Sequence, residues 1–139
     1  MEYDEWLRGH GVRPTGNRIV IARELGRSRD PLSMSELERR IGTIDKSGIS
    51  RTLAVFREHH LVHTIEDGEG QMKYELCMSH DGDEDDDAHA HFFCERCHRT
   101  ICLNDVPVPV FSVPEGYVVH GTNCLLVGLC PDCRKKMLR

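Results

Sequence analysis

Sulfur and imidazole dominate the chemistry open to this chain. Cys94-x-x-Cys97 and Cys130-x-x-Cys133 form two knuckles with 32 residues between them. Each knuckle offers two sulfurs to one ion, and the intervening chain has only to bring the knuckles together. The spacing therefore predicts a closed, tetrahedral Zn²⁺ site. Disulfides or a redox dithiol are the competing uses of the same residues. His89-Ala90-His91 stands just ahead of the first knuckle. These donors exceed what a four-cysteine site takes, so they point to a second metal. A second metal beside a structural zinc points to a sensor.

The rest of the composition sets the context. The chain has 139 residues, 29% charged and 39% hydrophobic, enough for one ordinary domain or two small ones. No apolar run approaches the roughly 18 residues of a membrane span. Asp4, Glu5, Arg8 and Arg13 break up the start of the chain, so no signal peptide is expected. Seven cysteines without an export signal suggest the reducing cytoplasm. The formal net charge of −5 divides unevenly, +2 over residues 1–60 and −7 over residues 61–139. That asymmetry suits a nucleic-acid reader joined to a cation binder.

Periodicity and punctuation predict the elements that position these donors. Residues 2–9 read as a short helix ended by Gly9 and Gly11. A helix follows Thr15 as N-cap, with Ile19, Ala22 and Leu25 on one face and Gly26 as its stop. Ser33 or Ser35 caps the next helix, which turns Met34, Leu37 and Ile41 inward and ends at Gly42. Asp45 to His60 form another, with Ile49, Leu53 and Phe56 inward; Gly48 costs it about 1 kcal/mol against alanine. Leu61–Glu66 and Gln71–Leu76 flank Asp67-Gly68-Glu69-Gly70 and read as a hairpin. Helices followed by a hairpin make a winged helix-turn-helix, with the last helix set for the major groove. Residues 80–87 form an acidic stretch, either a solvated linker or a segment that collects cations loosely or repels DNA when no metal is bound. Beyond it, Ala90–Phe93, Thr100–Leu103 and Tyr117–Val127 read as strands. Pro107, Pro109 and Pro114 allow only a short helix between them. The expected class is α+β: a winged helix-turn-helix over 1–78, an acidic hinge over 79–88, and a small α/β zinc-stapled domain over 89–139.

In order along the chain, these motifs resemble the ferric uptake regulator family of metal-dependent repressors. The resemblance rests on Gly11-Val12-Arg13-Pro14-Thr15-x-x-Arg18, Ser33-x-Ser35-Glu36-Leu37, Leu61-Val62 and Tyr74-Glu75-Leu76. It continues through His89-x-His91-x-x-Cys94-x-x-Cys97 and Gly128-x-Cys130-x-x-Cys133. It implies a homodimeric transcription factor that binds double-stranded operator DNA when a regulatory metal is present. Cys94, Cys97, Cys130 and Cys133 match the family's structural zinc site.

For the regulatory metal the resemblance offers two sets of ligands. Iron- and manganese-responsive members place a carboxylate at the position of Glu75. Zinc-responsive members place a cysteine at Cys77 and a ligand near His63. The histidine that iron and peroxide sensors carry before the second helix of the DNA-binding motif falls at Pro31, and a later carboxylate falls at Cys102. A site of one cysteine and three histidines is borderline-soft and suits Zn²⁺. The expected regulatory set is His63, Cys77, His89 and His91, with Glu75 and Cys102 in reserve. His89 and His91, two apart on a strand, would point the same way. The positions of a further family site hold Ala88, Ala90 and Pro109, so that site is not expected. Cys124 reads as core packing, and His10, His59, His60, His98 and His120 as ordinary polar residues.

The DNA-reading surface is expected at Lys46, Ser47, Ser50 and Arg51, with Arg13, Arg18 and Arg57 on phosphates or in the minor groove. The family usually has a threonine and a tyrosine where Gly48 and Ser50 stand, so the operator is expected to differ from the usual one. The resulting expectation is a zinc-responsive repressor in which the ion joins the wing to the dimerisation domain. An iron, manganese or peroxide sensor using Glu75 is the alternative within the family. A thiol switch or zinc-storage module without DNA binding is the alternative outside it. No nucleophile–base pair stands in a recognisable setting, so neither an enzyme nor a small-molecule substrate is expected.

Overall fold

Local signals start and stop most of the helices. A computed structural model describes residues 2–77, 89–119 and 122–137, apart from the side chains of His89 and Asn104. Helix α1 (Tyr3–Gly9) buries Leu7. Helix α2 (Gly16–Arg27) starts where Thr15 Oγ1 accepts the Arg18 N–H at 3.3 Å. Strand β1 (Leu32–Ser33) leads into α3 (Met34–Ile41), which opens on a capping box: Ser33 Oγ accepts the Glu36 N–H and Glu36 Oε1 accepts the Ser33 N–H, both at 3.1 Å. Gly42 ends α3 in the left-handed region at φ 75°, a conformation that glycine adopts without steric penalty. Helix α4 (Lys46–Glu58) begins at Asp45, whose Oδ1 accepts the Gly48 N–H at 2.9 Å. A Cβ on residue 48 would lie 3.0 Å from both that oxygen and Ile44 Cγ2, so the tight cap accounts for a glycine in the first turn.

Strands β2 (Val62–Glu66) and β3 (Met72–Leu76) form the hairpin, with Glu66 opposite Met72. The buried Asp67 builds its turn by accepting the N–H groups of Glu69 and Gln71, each at 2.9 Å. Strand β1 adds to the other side of β3, giving the antiparallel order β1-β3-β2. Leu7, Ile21, Leu25, Leu37, Ile49, Leu53 and Phe56 make the core against Val62, Tyr74 and Leu76. These elements are the expected winged helix-turn-helix.

The chain divides into two units, residues 1–78 and 79–139. In the second, β4 (His89–Cys94) is central, β5 (Thr100–Pro107) pairs with it antiparallel and β6 (Leu125–Gly128) pairs with it parallel. Helix α5 (Pro131–Met137) follows, with proline at its first position, where the missing N–H costs nothing.

Several expectations need correction. Gly26 lies inside the last turn of α2 rather than ending it; the Tyr3 hydroxyl occupies the place a Cβ would take. Among the described residues of the run 117–127, only Leu125, Leu126 and Val127 are in a strand, because Tyr117, Val118 and Val119 are exposed and propensity without a neighbouring strand does not make a ladder. Strand β5 runs on to Pro107, past a register irregularity opposite His89 and Ala90. Strand β1 and helix α5 add to the expected elements. The acidic stretch and His120 lie outside the described residues.

Candidate metal centres and nucleic-acid interface

Parallel pairing of β4 and β6 assembles the four-cysteine site. Cys94 at the end of β4 stands in register with Gly128 at the end of β6, so both knuckles leave the same end of the sheet. The Glu95 N–H donates to the Gly128 carbonyl at 2.8 Å and locks the two chain exits together. His98, at φ 64°, closes the first knuckle, and its N–H donates to the Cys94 carbonyl at 2.9 Å.

The sulfurs of Cys94, Cys97, Cys130 and Cys133 all lie within 4.8 Å of one another, and Cys97 and Cys130 are 3.9 Å apart. A Zn–S bond of about 2.3 Å gives a tetrahedron with edges of about 3.8 Å, so sub-ångström adjustments suffice. The site also favours thiolate at one position. The N–H groups of Cys97 and Cys130 donate to Cys94 Sγ at 3.5 and 3.4 Å, holding its thiol down at about 6. Burial, then the neighbouring thiols, push Cys133 up to about 12. A divalent cation removes that conflict by replacing the protons on all four sulfurs. All seven cysteines are free of disulfides, and the four at this centre fit zinc.

The remaining donors fall into two local groups. In the wing, register places His63 directly opposite Glu75, and His63 Nε2 lies 3.2 Å from Glu75 Oε2. Both are half-buried. Cys77, just past β3, is buried, with its N–H donated to the Leu61 carbonyl at 2.8 Å. Among the described residues of this unit, its sulfur does not complete a three-donor group with His63 and Glu75. Glu75, held in reserve, is therefore the cross-strand neighbour of His63. The hairpin could have shown this, since counting back from Glu66 opposite Met72 pairs 63 with 75.

In the C-terminal unit, His91 is buried on β4 and stands opposite Cys102 on β5. His89 opens β4 two residues earlier, opposite Pro107. The second reserve candidate, Cys102, is thus the cross-strand neighbour of an expected ligand. Cys124 is half-buried just before β6, and its carbonyl accepts the His91 N–H at 3.0 Å.

On α4, Gly48, Ile49, Thr52, Leu53 and Phe56 turn inward. Lys46, Ser47, Ser50, Arg51 and Arg57 are exposed. The Ser47 hydroxyl donates to Asp45 Oδ2 at 3.2 Å, so this side chain also braces the cap. Arg13 is exposed, whereas Arg18 is half-buried and donates to the Arg13 carbonyl at 2.9 Å, which fixes the approach to α2. The outward face therefore carries short hydroxyls and cations, the groups that read base edges and phosphates.

A family model described as the ferric uptake regulator family matches residues 9–110. Among solved structures, the chain is similar to a zinc uptake regulator complexed with zinc and DNA, with a TM-score of 0.70 and 17% identity over 99% of this chain and 94% of that one. It is also similar to the ferric uptake regulator of Vibrio cholerae, with a TM-score of 0.66 and 20% identity over 93% and 100% of the two chains. A zinc-bound manganese uptake regulator gives a TM-score of 0.64 and 23% identity over 94% and 99%. At these identities the structural likeness establishes the fold.

Proposed function

The chain belongs to the ferric uptake regulator family of metal-responsive, DNA-binding transcriptional regulators, and from that premise we propose that it is a zinc-responsive repressor acting on operator DNA as a homodimer. Zinc at Cys94, Cys97, Cys130 and Cys133 holds the C-terminal unit together. The regulatory ion draws on His63 and Cys77 from the wing and on His89 and His91 from β4, with Glu75 and Cys102 completing or replacing members of that set. The supporting observation is that each unit presents an imidazole beside a second donor: His63 with Glu75, and His91 opposite Cys102. The sulfur in the second pair favours zinc over harder cations.

Donors drawn from both units would restrict the DNA-binding unit to fewer orientations. Lys46, Ser47, Ser50 and Arg51 would then meet the groove at a lower entropic cost. Exposed Val110, Phe111, Val113, Tyr117, Val118 and Val119 supply apolar surface for a second copy to cover. Sedimentation at micromolar protein should give twice the chain mass.

The carboxylate beside His63 favours a second reading, an iron or manganese sensor. Titration of protein holding only its four-cysteine zinc separates the two. Tight operator binding induced by Zn²⁺ at sub-nanomolar free metal supports the first, and induction only by Fe²⁺ or Mn²⁺ supports the second.

A further inference from the structure

One ion pair ties the wing to the helix-turn-helix. Lys73 lies on β3 with its side chain 8% exposed, and its Nζ stands 3.5 Å from Glu36 Oε1. The same oxygen accepts the Ser33 N–H, and Ser33 Oγ accepts the Glu36 N–H. Ser33 is also the register partner of Lys73 across β1 and β3. Three elements, β1, α3 and β3, therefore meet at two side chains. Sliding β3 against α3 would strand a buried ammonium away from its carboxylate, a costly displacement that the fold resists.

The position of Lys73 on β3 gives this contact a second consequence. Directly paired residues of an antiparallel sheet share a face, so Ser33, Lys73 and Ile65 share one, and Glu75 with its partner His63 lies two residues further along the same face. At one end of this row Glu36 joins α3, whose Leu37 packs in the same core as Ile49 and Leu53 of α4. At the other end stand Glu75 and His63, the wing's donor pair.

We propose that Glu36 and Lys73 are positioning residues that couple metal occupancy at the wing to the pose of α4. The proposal rests on the metal-responsive reading above. With the latch intact, a displacement of β3 at Glu75 is carried to the opening turn of α3 and so to the helix that reads DNA. Without it, the wing can respond to metal while the helices stay as they were.

The test uses the full chain and DNA fragments selected from a random pool on the zinc-loaded protein. Operator Kd is measured with zinc chloride and with protein holding only its four-cysteine zinc, for wild type, Lys73→Met, Glu36→Gln and the double variant. Glu36→Gln keeps the capping hydrogen bonds and removes the charge. The ratio of the two Kd values should fall at least ten-fold in either single variant and no further in the double. Lys73→Arg should restore it. Zinc affinity without DNA, read by chelator competition, should stay within two-fold of wild type. By linkage, the effect of DNA on zinc affinity should fall by the same factor in the variants.

A wild-type ratio in Lys73→Met and Glu36→Gln overturns the latch alone. Equal weakening with and without zinc also overturns it, because that outcome describes a merely structural pair. A wild-type chain with no metal response overturns the functional reading and the latch together.

Discussion

Replacing Cys133 with serine should dismantle the C-terminal unit and leave the N-terminal unit standing. Among the described residues of the C-terminal unit, the buried apolar side chains other than cysteine are Ala90 and Phe93. Burying Phe93 contributes about 3 kcal/mol, and Ala90 contributes a fraction of that. Zinc on four thiolates contributes on the order of 10 kcal/mol to folding at neutral pH. The ion thus outweighs this apolar core roughly three-fold. Residue-resolved amide hydrogen exchange provides the assay, because named bonds report each unit. His91 and Glu95, bonded to the carbonyls of Cys124 and Gly128, should lose protection in Cys133→Ser. Ile49 and Cys77, bonded to the carbonyls of Asp45 and Leu61, should keep theirs. Cys124→Ser, outside the four-sulfur group, should leave both sets protected. Wild-type protection at His91 and Glu95 in a zinc-free Cys133→Ser protein would refute the reasoning, because packing alone would then be holding the sheet.

Other perturbations test the N-terminal unit. Gly42→Ala forces a side chain into φ 75° and should cost about 1 kcal/mol, lowering the melting temperature of a unit this size by about 4–8 °C, with Gly42→Asn milder. Burial raises the Glu36 carboxyl, but the Ser33 N–H and the Lys73 ammonium more than offset it, so its pKa lies below the usual 4.5. The stability it adds is fully present above 4.5 and is lost as the pH falls through the depressed folded value. Melting curves should show wild type above Glu36→Gln at neutral pH, with the gap closing in acid. Arg51→Ala should weaken operator binding and, if the guanidinium meets a phosphate, reduce the slope of log affinity against log salt by about one; a gel-shift series over salt reads both.

What could be read from the sequence was local. Asp45, the Ser33–Glu36 box and Gly42 act within one helical turn of the backbone they cap, so spacing alone exposes them. The hairpin was legible because its turn residues sit between two apolar runs, and its register follows from counting. Strand β1 has only two residues and exists through pairing with β3, a partner 40 residues away. Parallel pairing of β4 with β6 likewise brings the knuckles together across a long excursion that no periodicity encodes. Tyr117, Val118 and Val119 illustrate the reverse failure: residues suited to strands remain outside one when no neighbouring strand takes up their backbone groups. At the candidate sites, residue types identified the sulfurs and imidazoles, but cross-strand geometry chose their neighbours. That geometry set Glu75 against His63 and Cys102 opposite His91, and the pairing of β1 with β3 brought Lys73 to the opening turn of α3, where Glu36 lies.

The most direct measurement is the affinity of selected operator DNA for the full chain as free zinc is varied, with the four-cysteine zinc retained throughout and verified by elemental analysis. Wild type should bind tightly only once the regulatory ion is supplied, and His91→Ala should remain folded and weakly bound at every zinc concentration. Equal affinity for operator with and without regulatory zinc in the wild-type protein, or an undiminished zinc response in His91→Ala, would contradict the account.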